Sequence, residues 1–351
     1  MEKTFNRSKT IQYFKRCLDL LPNNYTSNDT HRMTLTFFAL SGLDLLGVLE
    51  TEIPKERRDQ WVNWIYAQQI LPDENNPEIN EKICGFRGSP FSGLPFNPNG
   101  SRVSNLPFDA ANLAMTYTAL ACLLILGDDL SRVDRHAIIN ALKYLQKENG
   151  SFTQTYLGME CDMRFIYCAC VISYILNDFS GINVEKAVDY IKKSQSYDYG
   201  VGQGPGEESH GGSTYCAISS LYLLNRLDEG LLSKNQTIFW LLSRQITGFQ
   251  GRANKPPDTC YSFWIGASLK ILDSFEFIDF KQNFDFLMET QTKYGGFSKW
   301  PEYPADVMHT YLGVAGLSLM KVPELQELDP VLNISFHAKE RLKTSVIFNN
   351  N

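Results

Sequence analysis

The chain has 351 residues, of which 43% are apolar and 13% aromatic, and its formal net charge is −6. This length allows either two ordinary domains or one repetitive architecture. The negative balance argues against a nucleic-acid-binding protein, which would need a strongly basic surface. Local clusters of basic residues are still available to bind a small anion.

The cysteines and the apolar runs indicate the compartment. Eight cysteines are scattered along the chain, and several lie inside apolar segments such as YCACVISYIL. This pattern predicts buried thiols rather than disulfides. The first ten residues are polar, and the apolar run ALACLLIL is far shorter than the ~20 residues that span a bilayer. We therefore expect a reduced, cytoplasmic protein without a membrane span.

The N-terminal third divides into an arm, helices and an insertion. Residues 1–30 are predicted to form a polar N-terminal arm with one amphipathic helix, and residues 31–351 a single helical domain. A helix is expected from His31, and a second over WVNWIYAQQIL at 61–71. Residues 85–107 contain eight glycines and prolines, which predicts an irregular insertion rather than a helix or strand.

Five apolar segments of the same kind repeat along the rest of the chain. Each is rich in small residues and starts at an aromatic residue, at Tyr117, Tyr167, Tyr215, Phe263 and Tyr311, with gaps of 50, 48, 48 and 48 residues. A glutamine before a glycine turn marks the same repeat, at Gln146, Gln195, Gln245 and Gln291. Two helices per repeat of ~48 residues predict an all-α array of about six hairpins. The aromatic starts favour a closed α-α toroid, an (α/α)6 barrel, around an aromatic cavity.

A polar residue stands five positions before each aromatic start, and these residues are expected to share one rim. They are Asn112, Asp162, His210, Asp258 and Asp306. Because successive hairpins are neighbours in space, Asp258 and Cys260 can meet His309 of the next repeat. Three such ligands with a fourth position open are typical of a catalytic zinc site. The alternative is a helix cap, a core thiol and a core histidine without any metal.

Basic residues near the same rim indicate an anion site. Two of them precede a double proline and the start of an apolar helix, where backbone N–H groups attract an anion. A histidine followed by two glycines lets the backbone approach a ligand. The candidates are Arg252, Lys255, Lys299, Arg164 and the HGG segment at 210–212. The alternatives are solvated side chains and a plain turn, with Arg164 paired to the nearby rim aspartate.

Several longer motifs now point to one family. ESHGGSTYC, GRANKPPDTCYSFW and YGGFSKWP…HTYLG, with the glutamine turns, extend over essentially the whole chain. On these segments the chain resembles the β subunits of protein prenyltransferases. LTFFALSGLDLL, AMTYTALACLLILGDDLSRV and DTCYSFWIGASLKIL are most similar to the type I geranylgeranyl branch. The resemblance implies a closed α-α barrel and an obligate heterodimer with a helical α subunit that supplies part of the site.

The same resemblance implies the site residues. One zinc ion is expected on Asp258, Cys260 and His309, with Lys299 and Tyr261 also in the catalytic group. Geranylgeranyl diphosphate is expected to contact His210, Gly211, Gly212, Arg252, Asn254, Lys255, Tyr261, Ser262, Phe263, Trp264, Arg164, Thr34, Phe38 and Met308. The second substrate is expected to be a protein with a C-terminal C-a-a-X sequence, with Leu or Phe last.

Two positions separate the branches of the family. Thr34 stands where the resemblance places a bulky tryptophan in the farnesyl enzyme, so a longer lipid is expected. Lys299 stands where magnesium-using relatives carry an aspartate, so magnesium should not be required. Three alternatives stay open: a farnesyltransferase β subunit, a Rab-type geranylgeranyltransferase β subunit, and a helical-repeat binding scaffold that is not an enzyme.

Overall fold

The computed structural model describes residues 4–73, 82–90, 95–102 and 109–349. The chain divides into two compact units. Unit A contains Met1–Leu21, Phe38–Leu49 and Ile191–His337, and unit B contains Pro22–Phe37, Glu50–Tyr190 and Ala338–Asn351. The predicted division into an arm over residues 1–30 and a single domain over 31–351 stays a prediction.

Helices dominate the described ranges. In chain order they are α1 (Arg7–Asp19), α2 (Arg32–Leu45), α3 (Leu49–Glu52), α4 (Lys55–Ala67), α5 (Leu113–Leu126), α6 (Arg135–Leu145), α7 (Met163–Ile175), α8 (Val184–Lys193), α9 (Gly211–Leu223), α10 (Leu227–Gly230), α11 (Lys234–Leu242), α12 (Tyr261–Ile271), α13 (Phe280–Thr290), α14 (Val307–Leu319), α15 (Phe336–Glu340) and α16 (Val346–Asn349). Short 3-10 segments lie at Asn23–His31, Phe275–Phe277 and Arg341–Thr344. The strands have only two or three residues: β1 (Gln69–Leu71), β2 (Gly85–Phe86), β3 (Ser101–Arg102), β4 (Leu328–Asp329) and β5 (Ile334–Ser335).

The five apolar repeat segments form α5, α7, α9, α12 and α14. In α5 every residue except Ala114 is buried, as expected for a helix that is apolar on all sides. In unit B, α5 packs against α7, and in unit A, α12 packs against both α9 and α14. Small residues permit this packing, since a Cβ added at Gly316 would lie only 2.8 Å from the Cβ of Ser262.

The repeated glutamines join each glycine turn to the start of another helix. Gln146 accepts a hydrogen bond from the Asn183 backbone N–H at 2.7 Å and donates to the Asn183 carbonyl at 3.0 Å. Gln195 and Gln245 bond backbone groups before α11 and α13 in the same two-way manner. Gln291 pairs with the backbone of residues 4 and 6, which lead into α1. Each of these amides therefore fixes the start of a helix to a turn of its own unit.

Two predictions in the N-terminal third need correction. The helix expected over 61–71 ends at Ala67, and Gln69–Leu71 is β1, which pairs with β2 antiparallel and with β3 in parallel. Gln69 bonds the backbone of residues 132 and 134, so it belongs to the glutamine series although the repeat spacing did not reveal it. Of the predicted irregular insertion 85–107, residues 91–94 and 103–107 lie outside the described residues. The described parts contain β2 and β3.

The cysteines and the helix lengths can be compared with the expectations from the sequence. None of the eight cysteines, all of which lie in the described ranges, forms a disulfide, and six are buried. Within residues 4–73, 82–90, 95–102 and 109–349, each helix is too short or too polar to cross a bilayer.

A buried ion pair anchors β2 in unit B. The Arg87 guanidinium donates two hydrogen bonds to the Asp109 carboxylate, from Nε at 2.8 Å and from Nη2 at 3.0 Å. The two side chains are only 4% and 1% exposed. A third bond joins Arg87 to the Ser101 hydroxyl at 2.9 Å, so this one side chain fixes three parts of the chain.

Replacing Arg87 by alanine should destabilise the protein by about 3–5 kcal/mol, because the Asp109 charge would stay buried without its partner. The measurement is the shift of the urea midpoint at constant slope. The matched control is Lys55→Ala, which breaks an exposed pair with Asp59 and should cost less than about 1 kcal/mol. Equal shifts for the two variants would contradict the role given to this pair.

Candidate active site

Asp258, Cys260 and His309 meet in unit A. A carboxylate oxygen, the sulfur and an imidazole nitrogen lie within 4.8 Å of one another. Each residue is 6% exposed, and His309 Nε2 lies 3.2 Å from Asp258 Oδ1. The structure thus brings together the three side chains that the repeat spacing expected to converge. Among the described residues, this is a group whose atoms can hold a metal ion.

The loop that carries Asp258 is fixed by its neighbour Thr259. The double proline before Asp258 prevents helix formation there, and α12 begins three residues later. The fully buried Thr259 hydroxyl donates to the Ser298 carbonyl at 2.7 Å and lies 2.9 Å from the Thr290 hydroxyl. Its backbone N–H donates to the Lys299 carbonyl at 3.2 Å. The glycine turn of the next repeat is therefore bonded directly to the residue between the two candidate ligands.

The electrostatics of the group favour a cation. Burial and the Asp258 carboxylate raise the pKa of the Cys260 thiol well above its ordinary value, so this thiol needs a nearby positive charge to ionise. Burial alone would raise the pKa of Asp258, but hydrogen bonding to His309 lowers it. Burial likewise opposes protonation of His309, but bonds to Asp258 and Asp306 outweigh it and raise its pKa to about 9. Two carboxylates thus stabilise positive charge among these side chains.

Lys299 lies beside this group. Its Nζ is 3.7 Å from Asp258 Oδ2 and 4.3 Å from the centre of the Trp300 ring. The Lys299 side chain is 44% exposed, so its ammonium group stays accessible to a ligand. Lys299, which the sequence analysis selected, therefore lies next to the candidate metal ligands and carries a positive charge.

His210 and Tyr261 form a second polar pair in unit A. His210 caps α9, because its Nδ1 accepts hydrogen bonds from the Gly212 and Ser213 N–H groups at 3.1 and 3.2 Å. The proton of the neutral ring must then be on Nε2, which lies 2.9 Å from the Tyr261 hydroxyl oxygen. If His210 donates to this oxygen, the Tyr261 hydroxyl hydrogen is left to donate to an anion. Burial raises the pKa of Tyr261, so this hydrogen is retained.

The basic loop between these groups is partly exposed. Arg252 Nη1 donates to Glu208 Oε2 at 3.1 Å, and both side chains remain substantially accessible. Asn254 has φ of 60°, a left-handed conformation that asparagine tolerates better than most residues. Lys255 is exposed. The loop therefore presents two cations, Arg252 and Lys255, and Glu208 holds the first of them.

Arg164 lies in unit B at the start of α7. Its Nε donates to Asp162 Oδ2 at 2.9 Å, and its Nη2 donates to Glu160 Oε1 at 2.7 Å. The pairing with the rim aspartate that the spacing suggested is present. The Arg164 side chain is still 54% exposed, so part of the guanidinium faces solvent.

Aromatic rings surround the start of α12. The rings of Tyr215, Phe263 and Trp264 lie 5.0–5.1 Å apart by their centres. The Tyr215 hydroxyl donates to the Val331 carbonyl at 3.1 Å, which fixes this ring. Ser262 was expected among the ligand contacts, but its buried hydroxyl donates to Asn283 Oδ1 at 2.9 Å. The structure therefore places the Ser262 side chain against α13.

The remaining predicted lipid residues are distributed over both units. In unit B the Thr34 hydroxyl donates to the Met115 sulfur at 3.3 Å. In unit A the Phe38 ring lies 5.9 Å from the Tyr311 ring, and the Tyr311 hydroxyl bonds the Asn333 backbone and side chain. Met308 is half-buried, next to His309 in the chain.

Sequence reasoning missed three polar residues around the site. Thr259 ties the ligand loop to the next turn, Glu208 holds Arg252, and Asp306 bonds the ring of His309. Asp306 was recognised only as a rim residue. Its position three residues before a histidine at a helix start was the available signal, because such a side chain reaches residue N3 of the helix. For Thr259 and Glu208 no comparable signal exists.

Comparison with known proteins identifies the class. The chain matches the family described as the prenyltransferase alpha-alpha toroid domain over residues 5–334. It belongs to this family, and it is a prenyltransferase with the all-α toroid fold. The predicted family and fold class are thus confirmed.

Two relatives and one solved structure indicate which branch of the family the chain is most similar to. The geranylgeranyl transferase type-1 β subunit of Dictyostelium discoideum is 45% identical over 344 residues, which are 96% of this chain and 97% of the relative. The corresponding subunit of Arabidopsis thaliana is 40% identical over 341 residues, 94% of this chain and 89% of the relative. The Candida albicans protein geranylgeranyltransferase-I complexed with GGPP aligns at a TM-score of 0.85 and 28% identity, covering 98% and 99% of the two chains.

Proposed function

We propose that this chain is the catalytic β subunit of a type I protein geranylgeranyltransferase. The subunit acts on geranylgeranyl diphosphate and on the cysteine thiol of proteins that end in C-a-a-X, with Leu or Phe last. The type-1 relatives at 40–45% identity and the Candida albicans complex with GGPP support this choice of lipid. The observation that carries the proposal is the buried Asp258–Cys260–His309 group, with cations and hydroxyl donors on the same unit.

The donor set fits zinc. One thiolate, one imidazole and one carboxylate are ligands that zinc prefers, and three protein ligands leave a fourth position for a substrate. The hydrogen bond from His309 Nδ1 to a second carboxylate is typical of zinc-binding histidines. Bound there, zinc would lower the pKa of a substrate thiol so that thiolate forms at neutral pH. We propose one zinc ion on Asp258, Cys260 and His309.

The chain's own residues act on the leaving group. In the transfer a carbon–sulfur bond forms, the carbon–oxygen bond to diphosphate breaks, and the electron pair of that bond stays on the diphosphate. The Tyr261 hydroxyl and the cations Arg252, Lys255 and Lys299 are proposed to stabilise this growing negative charge. Such stabilisation is strongest where the site is partly shielded from water. His210 orients the hydroxyl of Tyr261 through the 2.9 Å contact.

The aromatic side chains are proposed to hold the isoprenoid. Ring faces provide apolar contact, and exclusion of water favours transfer to the thiol over hydrolysis. Trp264 and Phe38 suit this role because both are only half-buried. They pack on Tyr215 and Tyr311, two fully buried rings whose hydroxyls bond backbone carbonyls. Thr34 is proposed to leave the space that a longer lipid needs.

The binding partners, the cellular location and the alternative functions remain to be considered. The α subunit, the C-a-a-X substrates and the cytoplasmic location remain predictions from the sequence. The farnesyl and Rab-type alternatives are disfavoured by the type-1 names of the full-length relatives. The scaffold without enzymatic activity is disfavoured by family membership and by the buried ligand group.

A lipid competition assay tests the function. The chain, co-expressed with its α subunit, is given equal amounts of geranylgeranyl and farnesyl diphosphate and a peptide ending in Leu. The wild type should transfer mainly the geranylgeranyl group. Thr34→Trp should shift the product ratio toward farnesyl by roughly tenfold or more, because steric exclusion of part of a chain costs a few kcal/mol.

A control variant makes this test specific. Thr51→Trp changes an exposed threonine of α3 and should leave the lipid ratio unaltered. Transfer of farnesyl alone by the wild type would contradict the assigned lipid. An unchanged ratio in Thr34→Trp would remove that residue from the lipid site, and absence of any transfer with a range of α subunits would support the scaffold alternative.

The metal requirement tests Lys299. The wild type should show full activity without magnesium, because the ammonium group of Lys299, beside Asp258, is proposed to neutralise the diphosphate in place of the metal. Lys299→Asp should lower the rate without magnesium by roughly ten- to a hundredfold, and magnesium should restore much of it. The control is Lys281→Asp on α13, which removes an exposed lysine and should not change the metal dependence. Activity of Lys299→Asp that ignores magnesium would contradict this role.

A further inference from the structure

We propose that Asp306 is the positioning residue for the metal ligand His309: it sets the orientation and the protonated nitrogen of the imidazole. The proposal rests on the proposed function, since it requires that zinc binds at this group. Asp306 is not itself a ligand, because its carboxylate is fully engaged on the far side of the imidazole ring.

Both oxygens of the Asp306 carboxylate bond the same residue. Oδ1 accepts the His309 backbone N–H at 2.9 Å, and Oδ2 lies 2.6 Å from His309 Nδ1. The His309 side chain is 8% exposed, whereas that of Asp306 is 38% exposed. The contact therefore joins a buried ring to an acid at the protein surface, and it fixes the ring relative to the backbone of its own helix.

The chemistry of this contact decides which nitrogen faces the other ligands. A carboxylate can only accept hydrogen bonds, so His309 Nδ1 must carry a hydrogen. Nε2, which lies 3.2 Å from Asp258 Oδ1, is then the nitrogen that faces the other candidate ligands, and a metal bound there would take the place of its hydrogen. A metal ligand needs this tautomer and this orientation.

Capping of the helix does not by itself explain an aspartate here. At the same position of the repeat, Asn112 caps α5 and His210 caps α9. Each accepts hydrogen bonds from two backbone N–H groups, without a carboxylate. At Asp306, by contrast, one oxygen is enough for the cap and the second is used on the imidazole. At the same position before α7, Asp162 also caps with one oxygen and uses the other on a side chain, that of Arg164. The distinctive feature of Asp306 is therefore that its second oxygen bonds a candidate metal ligand.

The backbone around Asp306 has its own support. Its N–H donates to the Phe297 carbonyl at 3.3 Å, and its carbonyl accepts from the Thr310 hydroxyl and N–H. A change confined to the side chain should thus leave the start of α14 in place. This makes substitution of the carboxylate a fair test of its effect on the imidazole.

The decisive variant is Asp306→Asn. Asparagine caps helices as well as aspartate does, so Oδ1 can keep the bond to the His309 N–H. Its amide N–H groups would then face Nδ1, which must become an acceptor, and the hydrogen would move to Nε2 where it opposes metal binding. Zinc affinity of the complex with the α subunit, measured by chelator competition, should fall roughly 10–100-fold. Asp306→Ser keeps a helix cap but places no N–H donor against His309 Nδ1, so its loss of zinc affinity should be smaller than that of Asp306→Asn.

The matched control is Asp279→Asn at the start of α13. Asp279 also uses both oxygens on one residue, the N–H and side chain of Gln282, but no metal ligand is involved. The zinc affinity of Asp279→Asn should equal that of the wild type, and Asp279→Asn and Asp306→Asn should have similar thermal unfolding midpoints. A purely capping role for Asp306 predicts unchanged zinc affinity in Asp306→Asn, and that result would overturn the inference.

Failure of the inference and failure of the function give different results. If the wild-type complex binds no zinc, the metal assignment in the proposed function is wrong and the inference falls with it. If the wild type binds one zinc and Asp306→Asn binds it equally well, the metal assignment stands and only the role of Asp306 is wrong. Weaker zinc binding in Asp306→Asn with normal binding in Asp279→Asn supports both.

Discussion

A carboxylate, a thiol and an imidazole buried within 4.8 Å of one another impose the main constraint on this structure. Removing such groups from water is costly unless each finds a hydrogen-bond or charge partner. Asp258 and His309 partially satisfy each other, Asp306 stabilises the imidazole, and Lys299 opposes the negative charge. The thiol of Cys260 is the group that these contacts leave least able to ionise. The cation that we propose among the three side chains would resolve this imbalance.

The helical repeat is what makes this concentration of polar groups possible. Each apolar helix needs a polar side chain at its start, because its first N–H groups lack partners within the helix. Three of the five rim residues, His210, Asp258 and Asp306, lie in unit A. His210 and Asp306 each combine a cap with a second bond, to Tyr261 and to His309. The proposed chemistry of this chain thus uses positions that helix capping already requires to be polar.

Much of this was accessible from the sequence, for identifiable reasons. The spacing of the aromatic starts located all five apolar helices, because a helix buried on every side leaves an unmistakable apolar run. The convergence of Asp258, Cys260 and His309 followed from adjacency of repeats. Other features had no local signal. The end of α4 at Ala67 depends on pairing of β1 with distant strands, and Ser262 turns to Asn283 because of how α12 and α13 pack. The roles of the lipid and diphosphate residues depend on ligands that the sequence cannot place.

The X-ray absorption spectrum of zinc in the purified complex with the α subunit tests the central claim most directly. Without substrate, the account predicts one sulfur ligand at about 2.3 Å and nitrogen or oxygen ligands at about 2.0–2.2 Å. The sulfur contribution should disappear in Cys260→Ser. A wild-type spectrum with no sulfur ligand, or a sulfur contribution that persists in Cys260→Ser, would contradict the assignment of the metal to this buried group.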